Sequence, residues 1–255
     1  MTERIRIEDA GGIRTITIDR PQVRNALDLV TAEEMAAAFD GLDGDPDLRV
    51  GILTGAGGAF CAGIDLRAFA ASGQRPIIPG RGLGGLVERP PRKPLIAAVE
   101  GYALGGGFEI ALACDLIVAS REARFGLPEV RRGLVAAGGG LLRLPRAIPP
   151  KVAMSLALTG DQLAADRAYE IGLVTLLAEP GEALTAATEL ATTVAANAPM
   201  AVRETKRIIT ESQDWPMAQA FTLQRPLSDA VVNSADAREG ALAFKEKRPP
   251  LWTGA

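Results

Sequence analysis

Two glutamates stand beside glycine-rich turns in this chain of 255 residues, which contains no histidine. Glu109 follows the triplet Gly105 to Gly107, and Glu129 follows Pro128 and precedes the glycines at 138–140. The absence of histidine excludes the Ser-His-Asp triad, the Cys-His pair and His-ligated zinc. A pair of carboxylates is therefore the candidate machinery for moving protons at neutral pH.

The first of these segments also predicts a place for an oxygen that becomes negatively charged. A short apolar run over residues 95–99 predicts a buried strand, and a helix is expected to begin near Phe108. The first turn of a helix offers free N–H groups, and glycines let a ligand come close to them. Taken singly, Glu109 and Glu129 are each typical of ordinary helix starts. Together, beside these turns, they predict an acid–base site.

The elements that position these residues alternate along the first half of the chain. Two short strands are expected around a turn at Gly11 and Gly12, and Thr31 with Glu34 predicts a capping box at the start of a helix. Three apolar runs predict buried strands over residues 50–54, 95–99 and 116–119. This order favours a parallel sheet covered by helices. Beyond residue 150 the pattern is helical, with late helices expected over residues 201–211, 215–232 and 235–247.

A glycine- and proline-rich segment, residues 73–94, predicts a long loop without regular structure. Residues 67–95 carry six basic residues and one acid. Two interpretations are open: a solvated loop, or a local site for the phosphates of a nucleotide-bearing substrate. The second predicts that replacing Arg89, Arg92 and Lys93 together raises the KM for such a substrate.

Composition excludes several classes of protein. The net charge is −3, with 47% hydrophobic and 23% charged residues, which is typical of a globular protein and not of a nucleic-acid binder. Residues 1–12 are polar, and acidic residues interrupt the longest apolar stretch, 95–119, so neither a signal peptide nor a membrane span is expected. Cys61 and Cys114 are typical of small buried apolar residues, and no metal site is predicted. We expect a cytoplasmic protein.

The stretch from Ile96 to Leu116 resembles the signature of the enoyl-CoA hydratase/isomerase, or crotonase, family. The resemblance covers nearly the whole chain through further motifs: Arg20-Pro21, Arg24-Asn25-Ala26-Leu27, Leu53-Thr54-Gly55, Phe60 to Leu66, Leu158-Thr159-Gly160, and Glu239-Gly240 with Phe244 to Arg248. It implies an α/β fold, a crotonase-type spiral of repeated β-β-α units with a C-terminal helical trimerisation region. The implied domains are a spiral core over residues 1–195 and a helical region over residues 196–255.

The resemblance also implies an activity. An enoyl-CoA hydratase, a hydro-lyase of fatty acid β-oxidation, adds water across the C2–C3 double bond of a trans-2-enoyl-CoA thioester to give 3-hydroxyacyl-CoA. Glu109 and Glu129 match the glutamates that hold and deprotonate the water, and Glu129 delivers a proton to C2. The oxyanion hole maps onto the N–H groups of Ile64 and Gly106. No separate cofactor is implied, because coenzyme A enters with the substrate.

The implied partners are an acyl-CoA and further copies of the chain, as a homotrimer or a hexamer, with no nucleic acid and no membrane. The coenzyme A and substrate site is expected at Ala62, Ile64, Asp65, Leu66, Gly105, Gly106, Pro128, Ala137 and Leu141. Relatives carry I-P-G-x-G-G-T after the second glutamate. Here Ala137 replaces a glycine, and Leu141 with Leu142 replaces a polar pair. We therefore expect an apolar acyl pocket that takes longer or bulkier tails than short-chain hydratases do.

Other functions are open at this point. A Δ3-Δ2 enoyl-CoA isomerase needs one carboxylate, other crotonase-type thioester reactions share the fold, and a non-catalytic acyl-CoA binder would keep the glycines without needing both acids. The glycines at 101, 105 and 107 also spell the G-x-x-x-G-x-G of NAD(P)-dependent short-chain dehydrogenases. Their Tyr-x-x-x-Lys pair is absent, because Gly106 and Leu173 stand four residues after the tyrosines, Tyr102 and Tyr169.

Overall fold

Strands and helices alternate from residue 5 to residue 178, and only helices follow. The structure is a computed structural model that describes residues 3–255, so Met1 and Thr2 of the expected core domain lie outside the described residues. The elements, in chain order, are β1 Ile5–Ala10, β2 Ile13–Ile18, α1 Leu29–Gly44, β3 Val50–Gly55, α2 Leu66–Ser72, β4 Ile77–Ile78, β5 Gly82–Leu83, β6 Leu95–Val99, β7 Tyr102–Leu104, α3 Gly106–Ala113, β8 Leu116–Ser120, β9 Arg124–Gly126, α4 Gly140–Ala147, α5 Pro150–Thr159, β10 Gln162–Ala164, α6 Ala165–Glu170, β11 Leu176–Ala178, α7 Ala183–Ala195, α8 Pro199–Glu211, α9 Met217–Val232 and α10 Ala235–Glu246.

A six-stranded sheet in the order β1-β2-β3-β6-β8-β11 forms the centre of the fold. Strands β1 and β2 form the antiparallel hairpin expected at Gly11 and Gly12, and all later pairs in the sheet are parallel. Strand β6 is buried along its whole length because helices cover the sheet. The predicted parallel sheet under helices is confirmed.

A second sheet, in the order β10-β9-β7, lies beyond the ends of the large one. Strand β6 belongs to the large sheet and β7 to the small sheet, and α3 follows; β8, β9 and α4 repeat this order. These are the expected β-β-α units. In each unit the chain leaves the large sheet at the carboxyl end of its first strand and then enters the small sheet. Ligands of parallel sheets bind at this edge.

The start of α1 differs from the capping box predicted at Thr31 and Glu34. Asp28 caps the helix, and its carboxylate accepts hydrogen bonds from the Thr31 N–H at 2.9 Å and the Thr31 hydroxyl at 2.6 Å. The Glu34 carboxylate accepts instead from the N–H groups of Arg4 and Ile5. The capping prediction was wrong because Glu34 binds the edge of β1 and not its own helix.

The glycine-rich segment is folded and partly buried: residues 81–87 lie in the interior, whereas most of residues 73–80 are exposed. It contains the hairpin of β4 and β5, which corrects the prediction of no regular structure. Arg81 is buried, pairs with Asp40 and donates to the Gly85 carbonyl. Lys93 is 6% exposed, and its ammonium donates to the Leu42 carbonyl at 2.8 Å. Arg81 is therefore held by helix α1 and by the segment itself, and Lys93 is held by helix α1.

Lys93 and its neighbour Arg92 lie at the edge of the sheet opposite to the glycines. Lys93 precedes the amino end of β6, whereas Gly105 and Gly106 lie beyond its carboxyl end. Five residues of strand, about 16 Å, separate the two edges of the sheet. Arg92 stands beside Lys93, and its N–H donates to Asp43. The predicted rise in KM on replacing Arg89, Arg92 and Lys93 together stays a prediction.

The helical prediction for the last third of the chain is confirmed. Helix α7 covers the large sheet through Ala187 and Ala191, whereas α8 and α9 contain no buried residue. Several large apolar side chains on the late elements are exposed: Ile209, Met217, Phe221, Val232 and Phe244. The division between residues 195 and 196 stays a proposal. No helix within residues 3–255 is long and apolar enough to span a bilayer.

Gly107 packs so closely on the Cys61 carbonyl that a Cβ would overlap it. We expect Gly107→Ala to lower the free energy of unfolding by about 3 kcal/mol, because the neighbouring atoms belong to backbone that cannot turn away. Gly44→Ala is the control. A Cβ at Gly44 lies in a helical turn and meets nothing within 4 Å, so this substitution should raise the free energy of unfolding by about 0.5–1 kcal/mol. Urea unfolding at one fixed protein concentration measures both, and equal midpoints would contradict the packing argument.

Candidate active site

Glu109 lies in the first turn of α3, which begins at Gly106, two residues earlier than predicted. Gly105 caps this helix with φ of 54°, a left-handed conformation that favours glycine. The Glu109 side chain is buried, and its Oε1 accepts a hydrogen bond from the Gly140 N–H at 3.0 Å. Burial raises the pKa of Glu109, Glu129 raises it further, and the bond from Gly140 opposes both.

The turn before α4 encloses the Glu109 carboxylate. A Cβ at Gly138 would lie 2.6 Å from Oε2 of Glu109, and one at Gly140 would lie 3.1 Å from Oε1. Both positions therefore need glycine because the carboxylate approaches the backbone directly. The close fit holds Glu109 in one orientation at the amino end of α4.

Glu129 stands in a 3₁₀ turn, Pro128–Arg132, which Pro128 opens at its first position. Its Oε1 lies 3.1 Å from the place a Cβ would take at Gly105, so the two glutamates flank the same helix start. Burial raises the pKa of Glu129, and Arg132 opposes that rise. Its Oε2 is buried and has no hydrogen-bond partner among residues 3–255. A buried carboxylate oxygen without a partner is suited to hold a water molecule or a proton of a ligand.

The Ile64 N–H is presented by a short parallel bridge. The Leu27 N–H donates to the Gly63 carbonyl at 2.8 Å, and the Asp65 N–H donates to the Leu27 carbonyl at 2.8 Å. Because neighbouring peptide groups alternate in direction, the Ile64 N–H points away from Leu27. It donates to no other group within the described part of the chain.

The Gly106 N–H, the first of helix α3, is also free in residues 3–255. Gly63, with φ of 100°, brings the two turns together: a Cβ there would lie 3.2 Å from the Gly106 nitrogen. The two unpaired N–H groups, of Ile64 and Gly106, therefore belong to backbone segments in direct contact. Such a pair can stabilise an oxygen that gains negative charge, without rearranging.

An apolar cavity of about 360 Å³ opens beside Glu129. Glu129 is its only titratable residue, and the wall contains no aromatic side chain: Leu127, Val130, Val135, Ala136, Leu141, Leu144, Pro145, Pro150, Ala153, Met154, Ala157 and Leu158. Leu141 lines the cavity, whereas Leu142 is 71% exposed and is not part of the wall. Ala137 is exposed and also lies outside it.

Three other predicted residues have different environments. The Ala62 N–H donates to the Arg24 carbonyl at 3.0 Å, which leaves only the Ala62 carbonyl for a ligand. The Asp65 carboxylate is 9% exposed and is used within the protein, where it caps α2 and pairs with Arg20. Leu66, the first residue of α2, is exposed near the Ile64 turn. The Asp65 carboxylate is therefore fully engaged within the protein.

Leu83 and Arg143 belong to the site but were missed from the sequence. Leu83 packs between the two turns, because a Cβ at Gly106 or Gly138 would lie within 3.0 Å of it. Apolar residues at 83, 86 and 87, all buried, were the available signal in the glycine-rich segment. Arg143 donates to the Val87 carbonyl and carries the positive charge that acts on Glu109. Residues 3–255 contain no cluster of three or more potential metal ligands.

We expect Arg143→Met to move the acid limb of the pH–rate profile to higher pH. The Arg143 charge lowers the pKa of Glu109, so its removal lets Glu109 hold its proton to higher pH. Arg146→Met, one turn further on and exposed beside Asp214, should leave the limb unchanged. The profile of kcat/KM against pH checks this, and coincident limbs for the two variants would contradict it.

Comparisons with known proteins give one family. The pattern described as enoyl-CoA hydratase/isomerase matches residues 8–255. Carnitinyl-CoA dehydratase of Salmonella arizonae is 44% identical over 263 residues, and that of Escherichia coli K12 is 42% identical; each alignment covers 100% of both chains. The crystal structure of an enoyl-CoA hydratase from Mycobacterium tuberculosis H37Rv is 57% identical, with a TM-score of 0.98 and full coverage of both chains. A Bacillus anthracis enoyl-CoA hydratase is 33% identical, with a TM-score of 0.91, covering 99% of this chain and 100% of its own.

Proposed function

Because the chain belongs to the enoyl-CoA hydratase/isomerase family and is an enzyme of the crotonase fold, we propose that it hydrates trans-2-enoyl-CoA thioesters to 3-hydroxyacyl-CoA. One observation carries the proposal. Glu109 and Glu129 flank one helix start, and burial raises the pKa of each. Two neighbouring carboxylates with raised pKa can share one proton, which lets one act as base while the other acts as acid.

The mechanism follows from the placement of these groups. The thioester oxygen accepts from the N–H groups of Ile64 and Gly106, so that electrons pushed from C3 are held there as an enolate. A water molecule lies between the carboxylates of Glu109 and Glu129. Glu109 takes one proton of the water while the oxygen of the water bonds to C3. Glu129 then delivers a proton to C2, and the enolate returns to a thioester carbonyl. The hydroxyl keeps the second proton of the water. Glu109 begins ionised and ends protonated, and Glu129 begins protonated and ends ionised, so the proton returns to Glu129 before the next turnover.

Dehydration of a carnitinyl thioester is the second candidate, because the curated relatives at 42–44% identity carry that name. The chemistry is the same reaction in reverse, but the acyl group ends in a trimethylammonium. Such cations are recognised by aromatic faces or by carboxylates. The cavity wall offers no aromatic ring and only Glu129, which is already used in the reaction. An uncharged apolar tail is therefore the favoured substrate.

Isomerisation of a 3-enoyl thioester, another thioester reaction, and simple binding are the remaining alternatives. An isomerase transfers one proton between C2 and C4 and needs a single carboxylate, and a binder needs none. The presence of both Glu109 and Glu129 favours hydration over each of them.

The assembly is part of the proposal. Met217 and Phe221 are exposed on α9, which contains no buried residue, and Phe244 is exposed on α10, which buries only Asp236 and Ala243. These exposed apolar side chains support a homotrimer or a hexamer formed from two trimers. A cytoplasmic location, and coenzyme A entering only as part of the substrate, complete the proposal.

The loss of the ultraviolet band of the conjugated thioester tests the function. Crotonyl-CoA, trans-2-decenoyl-CoA and crotonobetainyl-CoA are compared with the purified enzyme, and products are identified by mass. We expect fast hydration of the first two and a kcat/KM at least tenfold lower for the third. Preferred turnover of crotonobetainyl-CoA would favour the carnitinyl reaction, and turnover of 3-enoyl thioesters alone would favour the isomerase.

Leu141→Thr separates tail recognition from the reaction itself. We expect kcat/KM for decenoyl-CoA to fall about tenfold, because apolar surface of the wall is replaced by a hydroxyl, while crotonyl-CoA is little affected. Leu142→Thr, the same change on an exposed neighbour, should alter neither value. Equal effects of the two substitutions would mean that the tail does not use this cavity.

A further inference from the structure

Arg20 forms a buried ion cluster behind the Ile64 turn. The residue is 5% exposed, and its Nη2 lies 2.9 Å from an oxygen of Asp65 and 3.0 Å from an oxygen of Asp28. Nη1 donates to the Ala26 carbonyl. Nε is buried without a partner in residues 3–255. One guanidinium therefore joins two carboxylates and a backbone carbonyl.

Each group that Arg20 holds has a second structural role. The other oxygen of Asp65 caps α2 by accepting from the N–H groups of Arg67 and Ala68. Asp28 caps α1 in the same way. Ala26 and Asp28 flank Leu27. The Leu27 backbone forms hydrogen bonds with Gly63 and Asp65, the residues on either side of Ile64. The cluster thus fixes the two chain segments that set the direction of the Ile64 N–H.

Stability alone does not account for such a cluster. Burying the charges of Arg20 and Asp65, with Asp28 partly buried, and leaving one N–H unpaired is costly, and apolar residues of similar volume often stabilise a protein as well or better. What the cluster supplies is a defined geometry, because a planar guanidinium accepts few arrangements of its partners. That geometry fixes the position of Ile64, which is held between Leu27 and Asp65, the cap of α2.

We propose that Arg20 is a positioning residue for catalysis, which holds the Ile64 N–H on the thioester oxygen through Asp65 and Asp28. The inference rests on the proposed function for the identity of that oxygen. The contact strengthens as the oxygen becomes negative, so its loss affects the transition state more than the bound substrate. We expect Arg20→Gln to lower kcat for crotonyl-CoA about 100-fold and to change KM by less than about threefold.

Arg14→Gln is the matched control. Arg14 also joins a carboxylate, Asp9 at 2.7 Å, to a backbone carbonyl, that of Ala38, but it lies on β2 away from the site. Arg20→Lys and Asp65→Asn are included in case Arg20→Gln fails to fold. Lysine cannot reach both carboxylates in one plane, whereas asparagine keeps an oxygen to cap α2 and weakens only the ion pair.

The carbonyl stretch of bound butyryl-CoA, labelled with ¹³C at the thioester carbon, distinguishes positioning from folding. This saturated ligand cannot be hydrated. We expect binding to lower the stretching frequency in the parent and in Arg14→Gln, and this shift to be largely lost in Arg20→Gln or Asp65→Asn. If folded Arg20 variants keep both the shift and the kcat of Arg14→Gln, the proposal is overturned. If the parent shows the shift but hydrates no enoyl thioester, the proposed function fails while the positioning role is still tested by the shift.

Discussion

Glu109→Gln and Glu129→Gln are each expected to lower kcat for the hydration of crotonyl-CoA by about 10³-fold, with little change in KM. Glutamine keeps the size and one acceptor of each side chain but can neither take nor give the proton, and a positioned acid or base contributes about 10² to 10⁴ in rate. The measurement is the steady-state rate of loss of the enoyl band at saturating thioester.

Glu100→Gln is the control for this pair. Glu100 is partly buried and its Oε1 accepts from the Ala183 N–H, but it has no part in the proposed mechanism, so its activity should match the parent. Unfolding is not expected to cause the lower kcat of Glu109→Gln. The pKa of Glu109 is raised in the folded protein, so whatever stability its proton gives is lost as the pH rises through that pKa. At neutral pH the glutamine variant should unfold no earlier than the parent. Retention of a tenth of the parent kcat by both variants would refute the two-carboxylate mechanism.

Gly106→Pro should remove one donor of the proposed oxyanion hole and lower kcat by about 10² to 10³-fold. Gly106 is the first residue of α3, where proline fits the helix and its missing N–H breaks no helical bond. The N–H at that position is the one that faces the thioester oxygen in the proposed mechanism. Losing one such donor costs about 3–4 kcal/mol of barrier.

Gly106→Ala separates the donor from the added bulk. The nearest atom to a Cβ at this position is the end of Leu83, at 3.0 Å, and Ile64 at 3.6 Å and the Gly63 Cα at 3.7 Å are ordinary contacts. The flexible side chain of Leu83 can turn aside. The alanine variant keeps the N–H and should keep most of the activity. Equal losses in the alanine and proline variants would show that crowding, and not the missing donor, decides the rate.

The sequence predicts the parts of this site that depend on neighbours along the chain. Glycine triplets next to Glu109 and Glu129, and short apolar runs before them, follow from local backbone rules, and the parallel sheet follows from their order. The start of α1 shows the limit of such rules. The predicted cap was Thr31, whereas Asp28 caps the helix and also pairs with Arg20, a contact that the pattern around Thr31 does not reveal.

The burial of charged side chains was predicted least well, because it depends on partners that are distant in the sequence. Arg81 and Lys93 looked like surface cations in a loop, yet α1 supplies Asp40 for the first and the Leu42 carbonyl for the second. Leu83 was overlooked for the same reason, since its packing on Gly106 and Gly138 joins segments that no local pattern connects.

The bond from the Gly140 N–H to the Glu109 carboxylate makes one backbone amide an indicator of where the shared proton lies. An amide proton that donates to a carboxylate resonates further downfield when that carboxylate is ionised than when it is neutral. A titration followed by amide spectroscopy, with Gly140 as the reporter and Gly44 as an exposed reference, would read the ionisation of Glu109 without any substrate. Repeating the titration with a saturated thioester bound would show whether the ligand itself moves the proton between the two glutamates.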